Sequence, residues 1–477
     1  MNRKEAIKRS ALLMGGCALV PGAMGLLNGC TPGSPGDISG IGDGSGNDII
    51  DDGSALFSSV AALRATRGEI GETAILAGYF VAEDGGGSEI FWDDESTEDD
   101  DNGLIFKVDD VSKGRWKRKE EDYVNVKWFG VKGDGNYSSE TVDIFNQCFG
   151  LVAAGLTKRI YVPSGVYVIK QAFAQLDAEL HNGLELYGDG PDKSEIKFWD
   201  DISVSGSDND RRMLRWHSSQ KVAIEDVHIH DLKFNANREK YDAYSVCLLL
   251  YPNGSLSPNA RNILIENVHT TGANQTGIAI RTDNTTIRNC KSYNNGGHGC
   301  STGNAPDNVS VENYEAWECG LNKDGSSSGF YGLDFSDGTN FRAENFEIRD
   351  CGNGFKTSAG IIGPVVLSKG SIKNSVDRNI RQTGEGHPDN TLTLNEVTTE
   401  NGGNDGLRFT DLKKITINNC KCIDEPSPAI YFTSRTRDVE INGLEITGSG
   451  STAILNKASG SVEISGLVVS GYSTEID

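Results

Sequence analysis

From about residue 229 onward one short unit keeps returning: an aliphatic residue, a spacer, a small polar residue that is often Asn, and an apolar residue. The clear copies are Ile265-Glu266-Asn267-Val268, Ile287-Arg288-Asn289-Cys290, Val311-Glu312-Asn313-Tyr314, Ala343-Glu344-Asn345-Phe346, Leu394-Asn395-Glu396-Val397, Ile417-Asn418-Asn419-Cys420, Ile441-Asn442-Gly443-Leu444 and Ile464-Ser465-Gly466-Leu467. Weaker copies stand at Ile229-His230-Asp231-Leu232 and Leu367-Ser368-Lys369-Gly370. Their third positions, 231, 267, 289, 313, 345, 369, 396, 419, 443 and 466, are separated by steps of 36, 22, 24, 32, 24, 27, 23, 24 and 23. A step near 23 with two-residue alternation inside each copy is the pattern of a β-solenoid. One copy cannot bury its own apolar face, and stacking does so. The steps of 36 and 32 mark loops inserted into two coils.

About ten residues after most of these anchors comes a second short strand. Examples are Gly299-Cys300-Ser301-Thr302, Gly332-Leu333-Asp334-Phe335, Gly354-Phe355-Lys356-Thr357 and Gly406-Leu407-Arg408-Phe409. The residue after each leading position is apolar and is expected to point inward, and the next to point outward. Stacking then predicts one outward column: Ala279, Ser301, Asp334, Lys356, Arg381, Arg408, Tyr431, Leu455. Like charges stacked on one another are destabilising. Three consecutive bases, Lys356, Arg381 and Arg408, therefore point to an anionic ligand, with a solvated sheet face as the alternative.

The overall charge is opposite in sign. The 477 residues carry 45 Lys+Arg against 68 Asp+Glu, a formal net charge of −23, which argues against a nucleic-acid partner or a basic membrane-surface protein. Any steering of an anionic ligand must be local. The 58 glycines and only 12 prolines fit many tight turns between short strands.

The chain begins with Arg3, Lys4, Lys8 and Arg9, an apolar stretch from Ala11 to Leu27, and the sequence Leu26-Leu27-Asn28-Gly29-Cys30. A basic head, an apolar middle and small residues before a cut describe a secretory signal. The Leu-x-Gly-Cys ending resembles a lipoprotein signal, with Cys30 as the lipidated residue. That resemblance implies an exported, membrane-anchored protein of a Gram-negative bacterium, touching the membrane only through its lipid. Plain secretion is the alternative. Thr31 to Gly53 reads as a flexible tether. Leaving out Cys17 and Cys30, eight of the ten cysteines remain, in a compartment that permits disulfides. Cys319 and Cys351, each six residues after an anchor, are expected either to bridge adjacent coils or to pack as free thiols. Cys290, Cys300 and Cys420 read as core.

Trp128-Phe129-Gly130-Val131-Lys132-Gly133-Asp134-Gly135, followed by Ile160-Tyr161-Val162-Pro163-Ser164-Gly165-Val166-Tyr167, resembles the opening of the pectate-lyase-like right-handed parallel β-helix superfamily. The stretch with Gly78-Tyr79-Phe80, Gly85-Gly86-Gly87 and Gly114-Arg115-Trp116 is similar to the head region of tailspike-like members. The resemblance implies an all-β fold, a right-handed parallel β-helix of about ten or more coils, with a short N-terminal capping helix and a small head. The expected division is signal peptide 1–30, tether 31–53, head 54–120 and β-helix 121–477. The superfamily holds lyases, hydrolases, epimerases and virion adhesins, so the fold leaves the reaction open. It also leaves open whether the chain is a monomer or a trimer.

Tyr331-Gly332-Leu333-Asp334-Phe335-Ser336 is similar to the Tyr-Gly-Phe-Asp-Pro-His motif of mannuronan C5-epimerases. That resemblance implies proton-transfer roles for Tyr331 and Asp334, with Ser336 where the family has His. Gly297-His298-Gly299 resembles a polygalacturonase segment, which makes His298 a candidate acid–base group. The Asp pair those enzymes need is replaced by Gln275-Thr276. Turn residues of the coil are the competing reading for Tyr331, Asp334 and His298.

In a uronic-acid polymer, neutralising the carboxylate acidifies the neighbouring C5–H, and loss of that proton expels the 4-linked oxygen. Arg supplies bidentate neutralisation. A basic side chain can take the proton where nearby positive charge and desolvation favour its neutral form. Lys356 beside Arg381 fits that description. Arg408 is expected to hold substrate with Tyr431, and Tyr331 or Tyr431 to protonate the leaving oxygen. The leading expectation is a lyase acting on an acidic polysaccharide or oligosaccharide. The alternatives are a hydrolase using Asp334 with Asp405 or Asp324, a C5-epimerase, and a non-catalytic glycan-binding β-helix. No cofactor is required by this reading. The acidic run Asp93-Asp94-Glu95 and Glu98 to Asp101 is a conceivable Ca2+ site, with a solvated loop as the alternative.

Overall fold

The computed structural model describes residues 48–49, 55–173, 176–200, 211–218, 222–240, 244–252, 260–358, 360–383 and 389–477. Cys30, the signal and nearly all of the tether lie outside them. The chain divides into two compact units, Met1–Glu121 with Asn125–Gly130, and Asp122–Val124 with Val131–Asp477.

The first unit holds a mixed sheet with the order Asp48–Ile49, Ala55–Phe57, Thr73–Leu76, Ser88–Asp93, Arg115–Arg118, Ile105–Lys107. Its strands alternate buried and exposed residues and close over Phe57, Leu63, Trp92, Phe106 and Trp116. The buried Arg118 is affordable because its guanidinium donates to the Gly103 and Gly86 carbonyls and to Ser88 Oγ, and lies 5.4 Å from the Phe106 ring centre.

The second unit is a right-handed parallel β-helix in which each strand pairs in parallel with its counterpart one coil away. The helix Thr141–Ala153 packs Phe145 against Tyr167 and Phe173, covering apolar interior beside the strands Arg159–Val162 and Gly165–Ile169. The interior is a set of apolar ladders, one of which runs Ile278, Cys300, Leu333, Phe355, Ile380, Leu407, Ile430, Ile454, all buried.

What bends the strands into coils is visible in the backbone. All ten anchor residues have positive φ, from 49° at Asn267 to 80° at Gly443. Five residues before an anchor and five after it, further residues share that left-handed conformation: Asn284 and Asn294 around Asn289, Asn308 and Glu318 around Asn313, Asn340 and Asp350 around Asn345. Each coil is thus cut into short straight runs by single left-handed residues. Asn tolerates this conformation better than other non-glycine residues. Its amide also bonds to the corner below, as Asn313 Nδ2 donates to Asn289 Oδ1 at 2.9 Å and Asn374 Nδ2 to Asp350 Oδ1 at 3.0 Å. Glycine serves a second need where the next strand starts. A Cβ on Gly332 would collide with Ile348, and one on Gly354 with Ile372, so only glycine lets the backbone approach the core there.

Cys319 and Cys351 are buried free thiols, so of the two expectations the structure has packing and no bridge. Cys290, Cys300 and Cys420 are core, as expected.

Glu396 occupies a corner with φ 53° and prints neither Asn nor Gly in the pattern. Glu396→Gly is expected to raise stability by roughly 1 kcal/mol, and Glu396→Val to lower it, by the cost of an L-side chain in this region. Denaturant midpoints of the two variants check it; a loss in both would show that the corner is not strained.

Candidate functional site

The expected outward column exists in the expected register. Ala279 pairs with Ser301, Ser301 with Asp334, Asp334 with Lys356, Lys356 with Arg381, Arg381 with Arg408, Arg408 with Tyr431 and Tyr431 with Leu455. Its charges differ from the expectation in one respect. Lys356 Nζ lies 3.5 Å from Asp334 Oδ2, and Arg408 Nη1 lies 2.8 Å from Asp405 Oδ2. Two of the three bases are therefore partly neutralised, and stacking them costs less than the alignment implied. Among the described residues no carboxylate forms an ion pair with Arg381. It faces the Tyr331 side chain closely enough to favour the phenolate.

Asp334 is the hub. Its side chain is only 4% exposed. Ser336 Oγ donates to Oδ1 at 2.6 Å, Lys356 approaches Oδ2, and His298 Nε2 stands 3.4 Å from that same oxygen. Ser336 occupies the position where the resembled motif has His, and the structure brings a histidine in from the preceding coil instead. His298 stacks on Tyr331 with ring centres 5.9 Å apart and planes 12° from parallel. Phe330 meets the His298 ring edge-on at 4.9 Å. The Tyr331 backbone N–H approaches Nδ1 at 3.4 Å. That contact assigns the lone pair to Nδ1 and the proton to Nε2, where it points at Asp334.

Burial pushes the His298 imidazole down to about 4, Asp334 working against the fall and Lys356 and Arg281 adding to it. Burial likewise raises the Tyr331 phenol above its ordinary value, and Arg381 pulls it partly back. Lys356 Nζ also lies 5.5 Å from the centre of the Tyr331 ring. Tyr331 is thus a buried phenol stacked on His298, with Lys356 near its ring and Arg381 near its hydroxyl.

The structure brings Tyr331, Asp334, His298, Lys356 and Arg381 into one cluster over three successive second strands and the turn before them. Arg408 and Tyr431 lie beyond it along the column, with the Arg408 guanidinium 4.9 Å from the Tyr431 ring centre. Asp324, exposed, binds Ser326 in its own loop. Asp405 belongs to the coil of Arg408, three steps from Asp334, or about 14 Å of backbone separation. Sequence reasoning missed Arg281, whose Nη1 donates to the Ile280 and Ser301 carbonyls beside Asp334, and the pair Asp377–Arg378. Both sit just outside the strands, at corners where alternation carries no signal. Ser301, in the column next to Asp334, has a buried Oγ with no hydrogen bond among the described residues. In the first unit the acidic run is already engaged: Lys117 pairs with Asp93 and Glu98, and Arg64 with Asp100.

Residues 56–121 match the family model of the phage tail protein small four-stranded β-sheet domain. Among curated proteins none matches the sequence. Among solved structures, the tailspike protein of Acinetobacter phage vB_ApiP_P1 is similar at a TM-score of 0.55 and 10% identity, over 88% of this chain and 71% of that one. Tailspike protein 2 of the Escherichia coli O157:H7 bacteriophage CAB120 is similar at 0.52 and 16% identity, over 88% of this chain and 56% of its own length. Its enzymatically active domain, described for bacteriophage CBA120, is matched at 0.52 over 86% of this chain and 61% of that domain. The chain thus spans about three fifths of these first relatives. At such identities the likeness is one of fold.

The histidine gives a test. Its folded-state value lies below the ordinary 6.5, so between about 4 and 6.5 the unfolded chain binds the proton more readily. Through this group, stability is lost as pH falls across that window and is unaffected above it. His298→Gln is expected to flatten the dependence by up to about 3 kcal/mol. Unfolding midpoints of both proteins at pH 7 and pH 4.5 check it, and parallel pH curves would refute the neutral, buried histidine.

Proposed function

We propose that this chain is a carbohydrate-active enzyme that cleaves a uronic-acid-containing polysaccharide by β-elimination at the Tyr331 cluster. The observation that carries the reading is one buried phenol with Lys356 5.5 Å from its ring centre and Arg381 close enough to favour its phenolate. The enzymatically active domain of a tailspike sharing the fold supports catalysis over adhesion alone.

In this reading Arg381 binds the substrate carboxylate and draws charge from C5. The Tyr331 phenolate, stabilised by Arg381, takes the C5 proton. The electrons of the C5–H bond become the C4=C5 double bond, the C4–O4 bond breaks, and the phenol returns its proton to the leaving oxygen. The products are an unsaturated uronate and a new reducing end. His298 and Asp334 fix the Tyr331 ring and the Lys356 amine. The sequence suggested Lys356 as the base. Its amine lies 3.5 Å from Asp334 Oδ2, so we assign it to charge stabilisation and give proton transfer to Tyr331. Arg408 and Tyr431 extend the site along the column as substrate contacts.

C5-epimerisation shares the first step and differs only in returning the proton to the opposite face of C5. Hydrolysis needs two carboxylates no more than about 9.5 Å apart. The three-coil separation of Asp334 and Asp405 speaks against that pair.

Uronic-acid polysaccharides incubated with the protein, with and without Ca2+, are expected to gain ultraviolet absorbance together with reducing ends. Tyr331→Phe is expected to cost roughly 100-fold or more in kcat, and Arg381→Ala to raise KM as well. Because the phenol is held above its ordinary value, the rate is expected to climb toward alkaline pH. Reducing ends without absorbance would sink elimination in favour of hydrolysis. A changed uronate composition without either would establish epimerisation, and inertness toward the whole panel would count against an enzyme for these polymers.

A further inference from the structure

A second cluster lies on a different strand of the coils. His228 and His230 sit two residues apart on Glu225–Asn235 and so project from the same face. Glu185 is opposite His228 in the preceding coil, and Glu266 is opposite His230 in the following one. The two imidazoles stack at 4.0 Å. One ligand atom from each of Glu185, His228 and His230 lies within 4.8 Å of the others.

The hydrogen bonding of His230 is short of one positive charge. Nδ1 lies 2.7 Å from Asp231 Oδ2, and Nε2 lies 3.2 Å from Glu185 Oε1. A neutral imidazole has one N–H for these two carboxylates, so the other nitrogen turns a lone pair toward an anion. A second proton or a cation resolves that contact. His228 Nε2 is shielded from solvent, makes no hydrogen bond among the described residues, and stands 3.6 Å from Glu266 Oε2. With metal–ligand bonds of about 2.0–2.1 Å, two ligands of a tetrahedral ion stand about 3.4 Å apart. The 3.2 Å between His230 Nε2 and Glu185 Oε1 is close to that edge.

The surroundings orient the donors. Arg159 Nε holds Glu185 Oε2 at 2.6 Å, and Arg288 lies 3.6 Å from Glu266 Oε1, so in each carboxylate the other oxygen faces the histidines. Arg159 Nη2 also approaches Glu185 Oε1, at 3.2 Å, and an ion would take that oxygen from it. Asp231 fixes the His230 tautomer, the usual arrangement behind a metal-bound histidine. An open groove lined by His228, Leu264, Thr286 and Arg288 gives access from solvent.

We propose that Glu185, His228 and His230 form a binding site for a divalent transition ion of the zinc class, clipping two successive coils together, with Glu266 beside His228. Two imidazoles and a carboxylate suit such an ion and not Ca2+, which takes oxygen ligands. The site is separate from the Tyr331 cluster and does not rest on its assignment.

The test is titration of the full chain, first stripped with a chelator, with Co2+ and then Zn2+. Expected are one equivalent of Co2+ with the absorption of a tetrahedral site, its displacement by Zn2+, and a higher unfolding midpoint with either ion. His228→Ala is expected to abolish binding. Asp231→Asn, which keeps the shape but weakens the hold on His230, is expected to lower affinity roughly 10- to 100-fold. His269→Ala, on the neighbouring strand and outside the cluster, is expected to bind as the unaltered chain does. Should His228→Ala not fold, Glu185→Gln with an intact circular dichroism spectrum takes its place. Absence of stoichiometric binding by the unaltered chain overturns the proposal, as does binding that survives His228→Ala or Glu185→Gln.

Discussion

A parallel β-helix stands or falls on its corners. A strand run straight would carry its apolar alternation out of the stack, and each coil must turn sharply three times without leaving backbone amides unpaired. Here single left-handed residues five positions apart make the turns. The side-chain amides of Asn at these corners then bond to the corner of the next coil, so the polar groups nearest the bend are satisfied by the repeat itself. Because corners superimpose, strands superimpose, and outward side chains fall into columns about 4.8 Å apart. Both clusters described above are products of that superposition: residues remote in sequence meet because each occupies the same place in its own coil.

Stacking also dictates how charge is arranged. A column cannot hold three cations at one strand spacing without compensation, and the compensation is local. Asp334 lies directly beneath Lys356, and Asp405 reaches Arg408 from the corner before it. What remains is Arg381 beside a buried phenol. The column thus keeps one cation open to an incoming anion while the rest of its charge is internally balanced. An anionic ligand of the kind proposed would meet a protein whose net charge is −23. Long-range steering would be repulsive, and affinity would come from contacts made at short range, where Arg381 offers bidentate hydrogen bonding as well as charge.

The coil repeat, the inward ladder and the order of the outward column were legible in the sequence because strand alternation and coil step are both periodic. Asn289, Asn313 and Asn345 announced the corners, since few other residues accept that backbone. Lys369 and Glu396 were recognised only by position. What escaped the reading lies where periodicity gives no information. Arg281 leaves the end of its strand and folds back toward Asp334, and the partnership of Asp405 with Arg408 depends on the path of a corner. His298 is a candidate acid–base group from the sequence, but its contacts, stacking on Tyr331 and meeting Asp334 of the next coil, follow only from the stack. Strand alternation puts His228 and His230 on one face of their strand. Nothing there said that Glu185, over forty residues earlier, stands opposite them.

The two clusters differ in how they meet the demand that a shielded polar group have a partner. Around Asp334 the demand is met by protein: a hydroxyl, an amine and an imidazole N–H all converge on one carboxylate, and His298 is kept neutral by its burial. Around His230 the protein supplies more acceptors than protons. Two carboxylates share one imidazole, and among the described residues a second imidazole nitrogen, His228 Nε2, has no hydrogen-bond partner. A sheet face that needed only solvation would place Lys or Arg there, as it does at Lys233 opposite Glu195 and at Arg288 opposite Glu312. Glu185 and Glu266 are balanced in the same way, by Arg159 and Arg288, and what sets this group apart is the pair of stacked imidazoles between them.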